Sequence, residues 1–171
     1  MNLPEIIETR RAYVHLKGIK ITRESITQLI KAAQLAPSCF NNQPWRYVFV
    51  TKKEKLQELH EAYSRGNDWA QKASLVIAVY TKEDLDCIVK TRKYYLFDTG
   101  LATGFIILQA TEMGLVAHPI AGFSPKKVKR ILSIPEDMDV IALVIVGKHD
   151  DSVEEEPRPE RKKIDQIAEI V

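Results

Sequence analysis

The chain has 171 residues, 45% hydrophobic and 28% charged, which suits one ordinary globular domain and excludes a disordered chain. Lys and Arg total 25 against 23 Asp and Glu, a net charge of +2, so the basic excess that grips nucleic-acid backbones is absent. Two cysteines, Cys39 and Cys87, are too few for a disulfide framework or a four-ligand zinc cluster, and reduced thiols are expected.

The start, Met-Asn-Leu-Pro-Glu, lacks the basic segment and apolar run of a secretory signal, and the longest apolar stretches, residues 74–80 and 140–146, are too short to span a bilayer. A cytoplasmic protein with no membrane or nucleic-acid partner is the expectation. Pro4 followed by Glu5, Ile6, Ile7 and Glu8 opens a first helix that runs into Arg10 and Arg11. Thr22 caps a second, in which Ile26, Leu29, Ile30 and Ala33 recur near the helical period up to Pro37. A polar loop over 38–44 leads into an aromatic and β-branched strand at 45–50, and Leu56, Leu59 and Tyr63 give 52–63 a helical spacing.

Residues 74–80 form a fully buried strand. In the long stretch 84–113 the second half, from Phe97, is nearly apolar all round, with Gly100 and Gly104 four apart, and predicts a helix buried on every side and closed by Gly114. Ser124-Pro125 starts a short helix to about Leu132, Pro135 and Asp137 mark a turn, and 140–147 is the third strong strand. Residues 150–163, charged and carrying Pro157 and Pro159, should be extended. Ile164, Ile167, Ile170 and Val171 then need cover, from a neighbouring subunit or from the chain's own domain. No repeat or interior linker divides the chain, so one α+β domain spans 1–171, with 150–171 as an arm.

Four segments carry candidate chemistry. Arg10-Arg11 can fork onto phosphate oxygens, although an arginine pair is more often a solvated surface feature. The stiff loop Ala36-Pro37-Ser38-Cys39-Phe40-Asn41-Asn42-Gln43-Pro44-Trp45 offers amides and a hydroxyl to the edge of a planar heterocycle, although turns of this composition are common. His118-Pro119-Ile120-Ala121-Gly122-Phe123 reads as an apolar loop whose useful groups are backbone N–H donors. Arg158 to Lys163 is a basic cluster with a solvated tail as its plain reading. Dinucleotide and phosphate-loop glycine motifs, a Ser nucleophile elbow and paired metal-binding histidines are all missing, so no metal and no catalytic Ser, Cys or His is assigned.

In this order the pieces resemble the nitroreductase family of flavin mononucleotide (FMN) enzymes. The loop at 36–45 is similar to that family's Ala-Pro-Ser-small-x-Asn-x-Gln-Pro-Trp signature, Arg10-Arg11 stands at the family's distance before it, and residues 98–114 resemble its central helix ending in Gly-Leu, followed by Pro-Ile-x-Gly-Phe at 119–123. The resemblance implies a three-layer α/β/α homodimer with C-terminal arm exchange and FMN at the subunit interface. It implies that Arg10 and Arg11, with Ala12 beside them, meet the phosphate and that Arg161 reaches it from the arm. Pro37, Ser38, Cys39 and Asn41 would line the ring and ribityl chain, one side from the other subunit, with Gln43 supporting the loop. Pro119, Ile120, Ala121 and Gly122 would lie along the isoalloxazine.

The implied activity is ping-pong hydride transfer from NADH or NADPH through the flavin to a small planar acceptor such as a nitroaromatic, a quinone or a flavin, the cofactor carrying the chemistry. The alternatives are a specialised member of the same fold, of dehalogenase or flavin-cleaving type, and a non-catalytic flavin-binding module. Ala12 and Val14 replace a Ser and a basic residue frequent in the family, which weakens the implied phosphate grip unless His15, Lys17 or Arg158 substitutes.

Overall fold

Capping chemistry begins three of the helices in the computed structural model, which describes residues 1–154 and 156–171. In α1 (Leu3–Thr9) the Asn2 side chain accepts the Glu5 N–H and Glu5 accepts the Asn2 N–H, each at 3.1 Å. Thr22 caps α2 (Arg23–Gln34) by accepting the Ser25 N–H at 3.1 Å. Helices α3 (Lys53–Leu59) and α4 (Tyr95–Glu112) have no side-chain cap, whereas Ser124 caps α5 (Pro125–Leu132) through the Lys127 N–H. The expected helix over 52–63 stops at Leu59 and tightens into a 3₁₀ turn at His60–Ala62.

The strands in chain order are β1 (Leu16–Lys17), β2 (Arg46–Val50), β3 (Leu75–Thr81), β4 (Ile88–Val89), β5 (Arg92–Lys93), β6 (Val116–Ile120) and β7 (Asp139–His149). β3 lies between β2 and β7, and β7 also pairs with β6 along 143–147 and with β1 at 148–149. All these pairings are antiparallel, and β4–β5 is a separate small hairpin inside the stretch 84–94. Residues 118–120, expected in a loop, therefore form the end of a strand. Proline argues against a strand, yet Pro119 is tolerated in β6, whose one partner among the described residues is β7.

Alternation along β3 and β7 divides the core into two sides of one sheet. Leu75, Ile77, Val79, Val144 and Val146 pack with Leu29 and Ala33 of α2 and Ala102, Ile106 and Ala110 of α4. Val76, Ala78, Leu143 and Ile145 point the other way, against Leu59 of α3 and Val128 and Ile131 of α5. The three-layer α+β architecture follows, and each fully buried Leu or Ile contributes roughly 1.5–3 kcal/mol by leaving water.

Helix α4 is not buried on every side. It sinks Asp98, Thr99, Ala102, Thr103, Ile106 and Ala110, while Leu96, Phe97 and Phe105 stay 47%, 63% and 40% exposed. A helix lying on a sheet can bury only the stripe that meets it; apolar residues around the rest of the cylinder look the same in sequence. The arm returns along the N-terminal segment as far as Arg161, and beyond it Ile164, Ile167, Ile170 and Val171 are exposed with only a 3₁₀ turn at Ile164–Gln166. Among the described residues no helix is long and apolar enough to cross a membrane.

Candidate active site

The end of α1 and the arm build an arginine cradle. Arg10 turns out of the helix after its N–H closes the last helical bond to the Ile6 carbonyl at 3.1 Å. The arm is brought back by Glu156, whose carboxylate accepts the N–H groups of Val14 and His15 at 3.0 and 3.2 Å and meets His15 Nδ1 at 2.9 Å. Burial pushes the Glu156 carboxyl up, but those donors outweigh it and hold the group below the ordinary range. Arg11 donates to the Glu156 carbonyl and lies 4.8 Å over the Tyr13 ring, and Arg158 donates to the Glu8 carbonyl.

The result is a cavity of about 370 Å³ bordered by Arg10, Arg11, Ala12, Arg158 and Arg161. Partial burial lowers the Arg10 pKa first, and the charges of Arg161, Arg158 and Arg11 lower it further. Among the described residues no carboxylate or carbonyl oxygen pairs with the Arg10 or Arg161 guanidinium. Like charges crowded around Arg10 and Arg161 store repulsion that an anion would release.

Next to the cradle, β6 carries His118, whose Nδ1 is 3.2 Å from the Tyr13 carbonyl and whose ring lies 4.7 Å from that of Trp69. A carbonyl can only accept, so Nδ1 bears the proton in this contact. Burial lowers the His118 pKa and Arg10 adds to it, against the Tyr13 carbonyl and Glu156. Ile120 points into the core, so only its backbone can face a ligand, while Pro119 and Ala121 are exposed. Gly122 accepts from Ser64 N at 2.9 Å and Asn67 Nδ2 at 2.8 Å, and a Cβ on it would stand 2.4 Å from that nitrogen. The N–H groups of Ala121 and Gly122 meet no acceptor among the described residues.

The loop after α2 is built separately. Ser38 Oγ accepts the Gln43 N–H at 2.9 Å, Gln43 Nε2 reaches the Asn41 carbonyl and Oδ1 at 3.3 Å, and Trp45 anchors the exit in the core. Phe40, Asn41 and Gln43 hold positive φ angles of 48°, 59° and 49°, conformations that cost a non-glycine residue of order 1 kcal/mol each. Asp98, 3% exposed in the first turn of α4, accepts the Cys39 N–H at 2.6 Å. Burial raises the Asp98 pKa and the Asp86 carboxyl raises it further, while the Cys39 N–H works against both.

The cysteines are not the reduced thiols expected: Cys39 is joined to Cys87 by a disulfide, with Cα atoms 6.1 Å apart. The two are 48 residues apart in sequence, and only the fold shows that the loop and the β4–β5 hairpin meet. Pro37, Ser38, Cys39, Asn41 and Gln43 thus stand together on α4 and the hairpin, whereas Arg10, Arg11, Ala12 and Arg161 stand with the arm, beside His118, which precedes the segment from Pro119 to Gly122. The residues that brace each half, Asp98, Asp86 and Cys87 in one and Glu156, Tyr13 and Asn67 in the other, were not singled out as site residues. Asp98 had a signal, as a lone acid inside an apolar helix; the others had none above ordinary loop composition.

A groove of about 660 Å³ runs from Arg10 along the uncovered α4 face, past Leu96, Phe97, Gly100, Gly104 and Phe105. A second, of about 500 Å³, continues between Phe105 and Leu108 of α4, Leu3, Ile6 and Ile7 of α1, and Leu35.

Comparison with known proteins bears on this arrangement. Residues 7–96 and 89–148 match the Nitroreductase family. A protein of Archaeoglobus fulgidus named "Putative NADH dehydrogenase/NAD(P)H nitroreductase" is 32% identical over 152 residues, covering 84% of this chain and 83% of its own. A solved nitroreductase family protein from Clostridium novyi NT superposes with a TM-score of 0.82 at 27% identity, over 89% of this chain and 87% of that one. A solved oxidoreductase described as containing FMN reaches a TM-score of 0.77 at 26% identity, over 88% of this chain and 79% of that one. With the match running from the arginine segment through the loop to the last strand, the chain belongs to the nitroreductase family.

Proposed function

We propose that the protein is an NAD(P)H-dependent oxidoreductase that holds FMN between two copies of the chain. The observation that carries this reading is the Arg10 guanidinium, half-buried, without a counter-ion among the described residues and crowded by three other arginines. A phosphate monoester carries close to two negative charges near neutral pH and several strong acceptor oxygens, the chemistry that relieves such a crowd. Family membership, a relative named for NAD(P)H nitroreduction and a neighbour containing FMN favour the flavin nucleotide as the owner of that phosphate.

When bound, FMN supplies hydride acceptance from NADH or NADPH and electron delivery to a planar acceptor in alternating half-reactions. The chain's own residues bind and orient. Arg10, Arg11, Arg158 and Arg161 neutralise the phosphate, and Ala12 leaves room beside them. The unpaired N–H groups of Ala121 and Gly122 donate to the ring's polar edge, where reduction builds negative charge, and Pro119 offers an exposed apolar surface to it. Ser38, Cys39, Asn41 and Gln43, on the loop that Asp98 braces, close the site from the second copy. That copy also covers the apolar α4 face and the tail from Ile164 to Val171, leaving Gly100 and Gly104 as places for close helix approach.

Purified protein should be yellow, release FMN on denaturation, and bleach under anaerobic NADH or NADPH. A preparation that is colourless and takes up no added FMN refutes the reading, and bound FMN that neither nicotinamide reduces leaves a flavin-binding module without turnover.

A further inference from the structure

Beside the loop, the structure gathers three metal-capable side chains, of which the proposed flavin site uses only Cys39 and assigns no role to its sulfur. Cys39 lies in the 3₁₀ turn after Ser38, and Asp86 and Cys87 stand in the turn leading into β4. One donor atom from each, two sulfurs and a carboxylate oxygen, lie within 4.8 Å of one another. Asp86 Oδ1 is engaged, accepting the Cys87 N–H at 2.8 Å and Asn42 Nδ2 at 3.3 Å. Its other oxygen, Oδ2, is shielded from solvent and has no hydrogen-bond partner. Asp86 also faces the buried Asp98 carboxyl, and two acids shielded from water call for a shared proton or a cation.

We propose that Cys39, Asp86 and Cys87 form a redox-gated site for a thiophilic divalent cation, zinc being the natural occupant, closed in the disulfide and opened by reduction. In the oxidised chain the sulfurs are bonded to each other and neither can be a thiolate ligand. A reductant breaks that bond, each sulfur taking one electron and one proton; with a phosphine, the electrons come from phosphorus, which takes the oxygen of one water as that water's two protons go to the sulfurs. Zinc then displaces the two thiol protons and binds both sulfurs and a carboxylate oxygen.

Geometry permits this with little movement. A tetrahedral zinc with Zn–S near 2.3 Å and Zn–O near 2.0–2.2 Å needs donors roughly 3.3–3.8 Å apart, a spacing to which the parted sulfurs and the carboxylate can relax. Two thiolates and one carboxylate favour zinc over magnesium or calcium, and a fourth position remains for water. Asn42 and the Cys87 N–H hold the carboxylate by Oδ1, leaving Oδ2 for the metal. The Cys39 N–H is anchored to Asp98 in the structure, a tie that does not depend on the sulfur bond. The loop is therefore crosslinked to the hairpin by a covalent bond in one state and by a metal in the other.

The test uses the full chain, free of flavin, so its result is independent of the function proposed above. Protein reduced with a phosphine, its two thiols counted, is titrated with zinc against a chromophoric chelator, and with cobalt while thiolate-to-cobalt charge transfer is followed. Reduced protein should bind one equivalent of zinc and show the charge-transfer band, and the oxidised protein should do neither. Cys39→Ser and Cys87→Ser should each abolish tight binding, and Asp86→Asn should weaken zinc by about 10- to 100-fold while keeping a cobalt–thiolate band. The proposal is overturned if fully reduced protein binds no zinc, if Cys87→Ser binds as well as wild type, or if the disulfide cannot be reduced without unfolding the chain, which would make it a permanent staple.

Discussion

Replacing Arg10 by alanine isolates the arginine cradle from the rest of the site. Arg10 is the member whose pKa is lowered by burial and by Arg161, Arg158 and Arg11 together, so its charge sits in a field of like sign and partly out of water. Losing one charge-assisted contact to phosphate costs about 1.5–3 kcal/mol, which at roughly 1.4 kcal/mol per decade raises the FMN dissociation constant about 10- to 100-fold. Without flavin, the same substitution relieves repulsion and should leave the melting temperature unchanged or raise it.

The assay is quenching of flavin fluorescence on titration with protein, run in parallel with FMN and with riboflavin, which has the ring but no phosphate. Arg10→Ala should weaken FMN and leave riboflavin alone, and the difference should shrink as salt screens the more exposed Arg161 and Arg158. If FMN affinity stays within about twofold of wild type, or if both ligands weaken equally, the phosphate does not sit in this cradle.

Three other outcomes follow from particular contacts. Phe105, 40% exposed between the two apolar grooves, should convert the proposed dimer to a monomer when changed to lysine, read by sedimentation, with the circular dichroism of the fold retained and the proposed flavin binding lost. His118, whose pKa is depressed by burial and Arg10 against the Tyr13 carbonyl and Glu156, takes its proton more readily in the unfolded chain. Its stability contribution is full above about pH 6.5 and is lost as pH falls from there through the folded pKa, with a slope of up to about 1.4 kcal/mol per pH unit; His118→Gln should remove that slope from urea unfolding curves. Gly122→Ala would swing Asn67 off the Gly122 carbonyl at a cost of about 1 kcal/mol, or roughly 2–4 °C in Tm, and should cost nothing further in an Asn67→Ala background.

What the sequence could and could not disclose follows from the range of the forces involved. The Thr22 cap, the unbroken apolar run of β3 and the Ser124-Pro125 start of α5 act over a few residues, and each was legible. The loop from Pro37 to Gln43 was legible as a pattern of residue types, but its shape was not. Left-handed φ at Phe40, Asn41 and Gln43 is imposed by Asp98, the disulfide and the Ser38–Gln43 contact, two of which join residues 48 or more positions apart. Arg161 was legible as part of a basic cluster. That it stands beside Arg10 depends on Glu156 capturing two N–H groups more than 140 positions away. Strand β6 was hidden because its identity comes from β7, against which it pairs, and not from its own Pro-containing composition.

Helix α4 explains why the two halves of the site are built apart. Its buried stripe, through Ala102, Ile106 and Ala110, fixes it to the sheet, so the Asp98 carboxylate and the loop it braces move with the core. Its outer stripe, with Phe97, Gly100 and Phe105, opens on the groove that begins at Arg10. In the homodimer proposed above, two such helices meet across that groove, and the packing of their outer stripes sets how far the loop of one copy stands from the arginines of the other. Small residues at Gly100 and Gly104, where an added Cβ would meet nothing within 4 Å in the single chain, then act as spacers: bulk there would leave both halves folded and hold them too far apart to share one ligand. An interface mutation in α4 should therefore impair cofactor retention without touching any residue that contacts the cofactor, a signature that neither a monomeric site nor a purely structural dimer would give.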